Sequence, residues 1–202
     1  MSKIYFIGGS PCSGKSTLAS LLAEKHNLHY FKIDEKLDTY YKKGKEDNKP
    51  LCTKFLDMTA EEIWMRSPEI QNTDELALYK EIFEYAIEDL EKLDAPNGII
   101  TEGALYLPEL IKDLGISPKN YVAITPTKTF QWFHYPKRPW VEHVLANCSD
   151  KKLAFSNWME RDILFGGYVR LKAKELGYKT FLTDEFTSID LMYQWIKNIF
   201  NL

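Results

Sequence analysis

With 202 residues, 45% of them hydrophobic and 14% aromatic, the chain has the length of one domain with insertions and enough apolar surface for a sizeable core. Its formal charge of −3, with both signs mixed along the sequence, excludes a basic nucleic-acid face. Cys12, Cys52 and Cys148 stand far apart without metal-ligand spacing, MSKIYFIGG is not a signal peptide, and no apolar run reaches membrane length; a reduced, soluble, cytoplasmic protein is expected.

In chain order, apolar runs predict strands at 3–8, 28–33, 97–102, 120–125 and 178–183. Helical patterns predict helices at 15–26, 73–93, 151–176 and 188–200. In the second helix Leu76, Tyr79, Phe83, Ala86, Leu90 and Leu93 recur at steps of three and four. Strand–helix alternation with near-continuous apolar strands implies a parallel sheet covered on both faces. The charged stretch 42–50, KKGKEDNKP, reads as a solvated turn or mobile segment.

The first strand leaves through GGSPCSGKST, residues 8–17. The spacing Gly9-x4-Gly14-Lys15-Ser16 fits a phosphate-binding loop. In such a loop the backbone amides of Gly9, Ser10, Pro11, Cys12, Ser13, Gly14, Lys15, Ser16 and Thr17, proline excepted, surround anionic oxygens. Lys15 reaches the terminal phosphates and the Ser16 hydroxyl ligates Mg²⁺. The alternative, a glycine turn that merely caps a helix, leaves a cation opposing the helix dipole at the first helical position. The Cys12 thiol is either lowered in pKa by that positive end or simply a small residue that fits.

Ligands of parallel sheets gather at the carboxyl edge, where Asp34 follows the second strand and Glu102 the third. One such acid can hold Mg²⁺ through a water and the other can take a hydroxyl proton. Otherwise Asp34 caps the next helix and Glu102 enters a surface salt bridge. The glycine after Glu102 implies that its backbone is closely approached. Past the fourth strand, FHYPKRPWVEHVLANCSDKK has no long apolar pattern to anchor it and forms a candidate lid, in which Arg138 is the cation for the transferring phosphoryl group or a surface arginine. Asp162 interrupts the apolar face Phe155, Trp158, Phe165, Val169, Ala173 and needs a partner, for which Arg138 is the natural choice. Arg161 could lie over adenine or against phosphate. Histidines 26, 29, 134 and 143 lack ligand spacing.

The loop, the aspartate of KIDEKLD, the Glu-Gly of ITEGAL, the arginine-bearing lid and the late TDE together resemble the P-loop small-molecule and nucleoside-monophosphate kinases, the group of adenylate, shikimate and gluconate kinases and chloramphenicol phosphotransferase. The resemblance covers nearly the whole chain. It implies a three-layer α/β P-loop fold, a five-stranded parallel sheet in the order 2-3-1-4-5, a helical acceptor-binding insert at about 40–75 and a lid at about 127–150. It also implies that Asp34 meets the acceptor hydroxyl, that Glu102 has a Walker-B-like role, and that Asp184 to Thr187 border adenine. The sequence departs from shikimate kinases in lacking a second paired glycine after Glu102, and from adenylate kinases in having one lid arginine.

The insert brings Tyr40, Tyr41, Trp64 and Arg66, with Tyr106 after Glu102; aromatic walls and an arginine suit a ring or sugar bearing a hydroxyl or an acidic group, although Trp64 and Tyr79 equally suit a helical core. The expected activity is transfer of the γ-phosphoryl group of ATP·Mg²⁺ to a hydroxyl or phosphate of a small metabolite. The catalytic set is Lys15, Asp34, Glu102 and Arg138. The alternative is a nucleotide switch or regulatory ATPase without an acceptor, which would want a polar residue where Gly103-Ala104-Leu105 stands. The sequence leaves oligomeric state unassigned.

Overall fold

The computed structural model describes residues 3–202. Five short strands, β1 (Ile4–Gly8), β2 (His29–Lys32), β3 (Ile99–Glu102), β4 (Tyr121–Pro126) and β5 (Lys179–Thr183), form one sheet in the order β2-β3-β1-β4-β5. All neighbours are parallel. The register pairs Ile7 with Glu102 and Lys32 with Glu102, so the carboxyl ends of β1, β2 and β3 finish on one edge. Whatever follows Gly8, Lys32 and Glu102 is thereby brought together.

Among the described residues ten α-helices accompany the sheet: α1 (Lys15–His26), α2 (Leu37–Glu46), α3 (Pro50–Asp57), α4 (Ala60–Trp64), α5 (Pro68–Glu91), α6 (Pro108–Asp113), α7 (Lys128–His134), α8 (Trp140–Val144), α9 (Lys151–Glu175) and α10 (Ile189–Phe200). On one face Leu18, Leu22, Met192 and Ile196 of α1 and α10 pack on Tyr5, Ile7 and Val122. On the other, Ile82, Phe83, Phe165 and Val169 of α5 and α9 pack on Phe6, Ile99 and Tyr121. Two apolar faces, each with its own helices, give the three-layer arrangement expected of a parallel sheet. Among the described residues no helix is long and apolar enough to cross a membrane.

Three expectations need correction. The stretch 42–50 is not a turn alone: α2 runs to Glu46 and α3 starts at Pro50, whose missing N–H suits a first helical position. Tyr40, Tyr41 and Gly44 face inward, and a Cβ on Gly44 would come within 2.4 Å of Cys52 Sγ. The lysines face out and pair across helices, Lys43 with Glu88, Lys45 with Asp57 and Lys49 with Glu84. The charged run is one solvated helical face.

Residues 127–150 are also anchored. They form α7, a 3₁₀ turn and α8, and bury Tyr135, Val141, Leu145 and Cys148 against Trp158 and Met159 of α9. The anchoring residues are too irregularly spaced for periodicity to reveal them. Helix α5 starts at Pro68, five residues before the predicted 73, because Pro68 opens its first turn.

Candidate active site

The loop after β1 is shaped by contacts that only glycine tolerates. Gly9 has φ +128°, and a Cβ there would lie 1.8 Å from the Ile124 carbonyl oxygen. Gly14, at φ +84°, occupies the cap position of α1 and offers no side chain to the first-turn amides, and no acid follows in that turn. The positive end of α1 is thus left to an outside anion. Lys15 is buried with its Nζ 2.6 Å from the Ser10 carbonyl oxygen, to which it donates; Ser13 Oγ donates to the same oxygen at 3.0 Å. Thr183 at the end of β5 donates to the Ser13 carbonyl at 2.9 Å, fastening the loop from the sheet edge.

Lys15, Asp34, Glu102 and Arg138 line one cavity of about 440 Å³ together with Pro11, Cys12 and the residues from Ser13 to Thr17. Burial lowers the Lys15 pKa, while the carboxylates of Glu102 and Asp34 act to raise it. Asp34 lies in a 3₁₀ turn, Ile33–Glu35, and caps no helix; α2 begins after Lys36 without a side-chain cap. Although open to the cavity, Asp34 has a pKa raised above the usual carboxylate range, first by its enclosure and then by Glu102. Gly103 permits this approach, since a Cβ on it would meet Ile33 Cγ2 at 2.3 Å and Asp34 Oδ1 at 3.4 Å. Glu102 is 3% exposed, so it is no surface carboxylate. It accepts a hydrogen bond from Tyr30 Oη at 2.9 Å.

Arg138 stacks over Tyr135 and Trp140, with its guanidinium carbon 4.9 and 5.7 Å from their ring centroids, and turns toward the loop. It does not pair with Asp162 as expected. The partner of Asp162 is Arg161, whose Nε lies 2.7 Å from Oδ1 and whose Nη1 lies 2.9 Å from Glu75 Oε1. Burial raises the Asp162 pKa against the pull of Arg161. Held in two ion pairs, Arg161 borders the cavity as a wall rather than a loose cation. Burial raises the Cys12 thiol as well, which leaves it the small residue that fits rather than an activated thiol.

Asp184 stands apart. Its carboxylate accepts from Phe186 N and Thr187 Oγ1 and closes its own turn, and it is not on the cavity wall. Gly9 and Ser10 shape the loop from behind without lining the cavity. Tyr30 and Glu75 are the residues that sequence reasoning missed. Tyr30 shares a strand face with Lys32, the only available signal, and Glu75 is one helical turn before Tyr79, whose hydroxyl donates to it at 3.0 Å.

A nucleotide-borne Mg²⁺ suits the donor set of the Ser16 hydroxyl and the Glu102 carboxylate, both hard oxygens on the cavity wall. Among the described residues no group of three or more His, Cys, Asp or Glu side chains is placed to hold a metal ion.

No protein-family model matches the chain, and no curated protein matches it. Solved structures that follow its course include deoxyadenosine kinase from M. mycoides with bound dATP, at TM-score 0.51 and 16% identity over 99% of this chain and 100% of that one. TT1252 from Thermus thermophilus aligns at 0.48 and 17% over 100% and 98%, and shikimate kinase from Acinetobacter baumannii in complex with shikimate at 0.43 and 16% over 100% and 94%. Of these three the first alone exceeds a TM-score of 0.5, and at that identity it establishes the fold and no more. The chain has the three-layer P-loop kinase fold, with a five-stranded parallel sheet in the order 2-3-1-4-5.

Proposed function

We propose that the protein is an ATP-dependent phosphotransferase that moves the γ-phosphoryl group to a small metabolite. The observation that carries this reading is the convergence of Lys15, Asp34, Glu102 and Arg138 on one cavity at the carboxyl edge of the sheet. A phosphate cradle alone would serve any nucleotide-binding protein; a second carboxylate facing it across open space supplies a place for an acceptor. Kinase activity in a structure of the same fold, deoxyadenosine kinase, supports the reading.

Residue roles follow from position. The loop amides and Lys15 hold the β- and γ-phosphates. Asp34 orients the acceptor hydroxyl and takes its proton as the new P–O bond forms and the β–γ bridging bond breaks, releasing ADP. Arg138 faces the charge that spreads over the transferring group, a form of stabilisation worth several kcal/mol in a dry site. Mg²⁺ held by Ser16 and, through water, by Glu102 would neutralise phosphate charge. Residues 127–150, packed on α9, act as the lid by holding Arg138 over the loop. The protein is soluble and works in the cytoplasm.

The test is substitution with two readouts. Lys15→Ala should abolish turnover, and Asp34→Asn should bind an ATP analogue normally while losing phosphoryl transfer by about 10²-fold or more. Transfer at the parent rate by Asp34→Asn would remove Asp34 from the mechanism.

A further inference from the structure

A second cavity, of about 180 Å³, lies under the insert helices and shares the Glu75 and Arg161 wall with the phosphate-loop cavity. Tyr41, Phe55, Met58, Trp64 and Leu78 give it apolar sides. An apolar cavity of about 150 Å³ is enough for a benzene molecule, so this one accommodates a single ring with a small substituent.

Its charges are already matched. Asp74 takes Arg66 at 2.5 Å and Lys54 at 2.6 Å, while Arg161 is shared between Glu75 and Asp162. Each cation of this wall thus already has a carboxylate partner on it, Lys54 and Arg66 sharing Asp74 and Arg161 taking Glu75, so an incoming phosphate or carboxylate would have to compete with that partner. Two buried polar atoms of the lining make no hydrogen bond: Arg161 Nε, which meets Asp162 only as an ion pair at 2.7 Å, and Gln71 Oε1. Gln71 is 3% exposed and lines the cavity; its Nε2 donates to the Trp64 and Arg66 carbonyls, while its Oε1 has no partner. A buried acceptor in that condition costs free energy until a donor arrives.

From this arrangement, and resting on the phosphotransferase reading above, we infer that the acceptor is an uncharged ring compound: its ring fills the insert cavity, an N–H or O–H on the ring bonds Gln71 Oε1, and its reacting hydroxyl extends past Glu75 to Asp34. A phosphate monoester or carboxylate would have to break an existing ion pair to bind.

The experiment titrates Trp64 fluorescence, in the presence of a non-hydrolysable ATP analogue, with uridine, cytidine and 4-aminobenzyl alcohol, each beside its own phosphate monoester. Product formation from ATP is followed in parallel by mass spectrometry. The neutral members should bind about tenfold or more tightly than their esters, and Gln71→Leu should lose most of that affinity while keeping the ATP analogue. Asp74→Asn, which frees Arg66 and Lys54, should shift the preference toward the esters by about tenfold. Equal or tighter binding of the esters to the parent protein, or no quenching by any probe while the ATP analogue is bound, overturns the inference and leaves the phosphotransferase reading standing. Failure of the parent protein to bind the ATP analogue at all would instead remove that reading, and the inference with it.

Discussion

Tyr30 donates a hydrogen bond to Glu102 across 2.9 Å, from one strand of the sheet to its neighbour. The bond fixes the carboxylate that faces Lys15, and burial together with Glu102 pushes the phenol far above its usual range, so Tyr30 remains the donor at any working pH. Tyr30→Phe keeps the ring and removes only the bond. Hydrogen bonds to charged groups contribute about 1.5–3 kcal/mol, so turnover should fall roughly tenfold or more. A Mg²⁺ titration separates this from a general defect: half-saturation should move to higher metal concentration while metal-free ATP-analogue binding stays at the parent value.

Gly103→Ala tests how Asp34 is placed. The added methyl would meet Ile33 2.3 Å away, so the 3₁₀ turn must move. Overpacking of this kind costs about 1–3 kcal/mol, read as a Tm lower by several degrees. Because the same turn carries Asp34, transfer should drop further than the stability loss explains, with ATP binding retained.

The pH profile should carry Asp34's signature. Its pKa is raised in the folded protein, and the ionised form is the one that takes a proton. The rate should therefore fall on the acid side at a pH above the ordinary carboxylate value. For stability the sign is the reverse: a carboxyl whose folded pKa lies above its unfolded one binds more protons when folded, so it costs stability at neutral pH and ceases to do so as pH falls toward the unfolded value. Asp34→Asn should accordingly melt higher than the parent at pH 7, with the difference closing as the solution is acidified.

Arg161 joins two helices through Glu75 and Asp162, both nearly buried. Arg161→Met strands two carboxylates and should cost about 3–5 kcal/mol in urea denaturation. Adding Asp162→Leu and Glu75→Gln should recover much of that loss, since no stranded carboxylate then remains.

That arginine also shows where sequence reasoning stopped. Side chains at i and i+1 do not normally face each other on a helix, so Asp162 pointed away from its neighbour and toward Arg138; only the length of the guanidinium stem, curling back beside its own helix, makes the observed pair. The strands and the loop at Gly9 to Thr17 were legible because apolar runs and glycine spacing are local signals. Asp34 and Glu102 were legible as neighbours because parallel register is enough to align strand ends. Helices α2 and α3 were not, since Lys42 to Pro50 displays its solvent face in sequence and hides Tyr40, Tyr41 and Gly44 between two helices. The partner of Glu102 was equally hidden: nothing in HYFK says which way Tyr30 points across the sheet.

The bond from Thr183 to the Ser13 carbonyl spans 170 positions of chain. During synthesis the cradle emerges well before Thr183 and stays without this brace until the fifth strand docks. The brace is thus completed late: a nascent polypeptide halted before residue 183 would carry the motif without its latch.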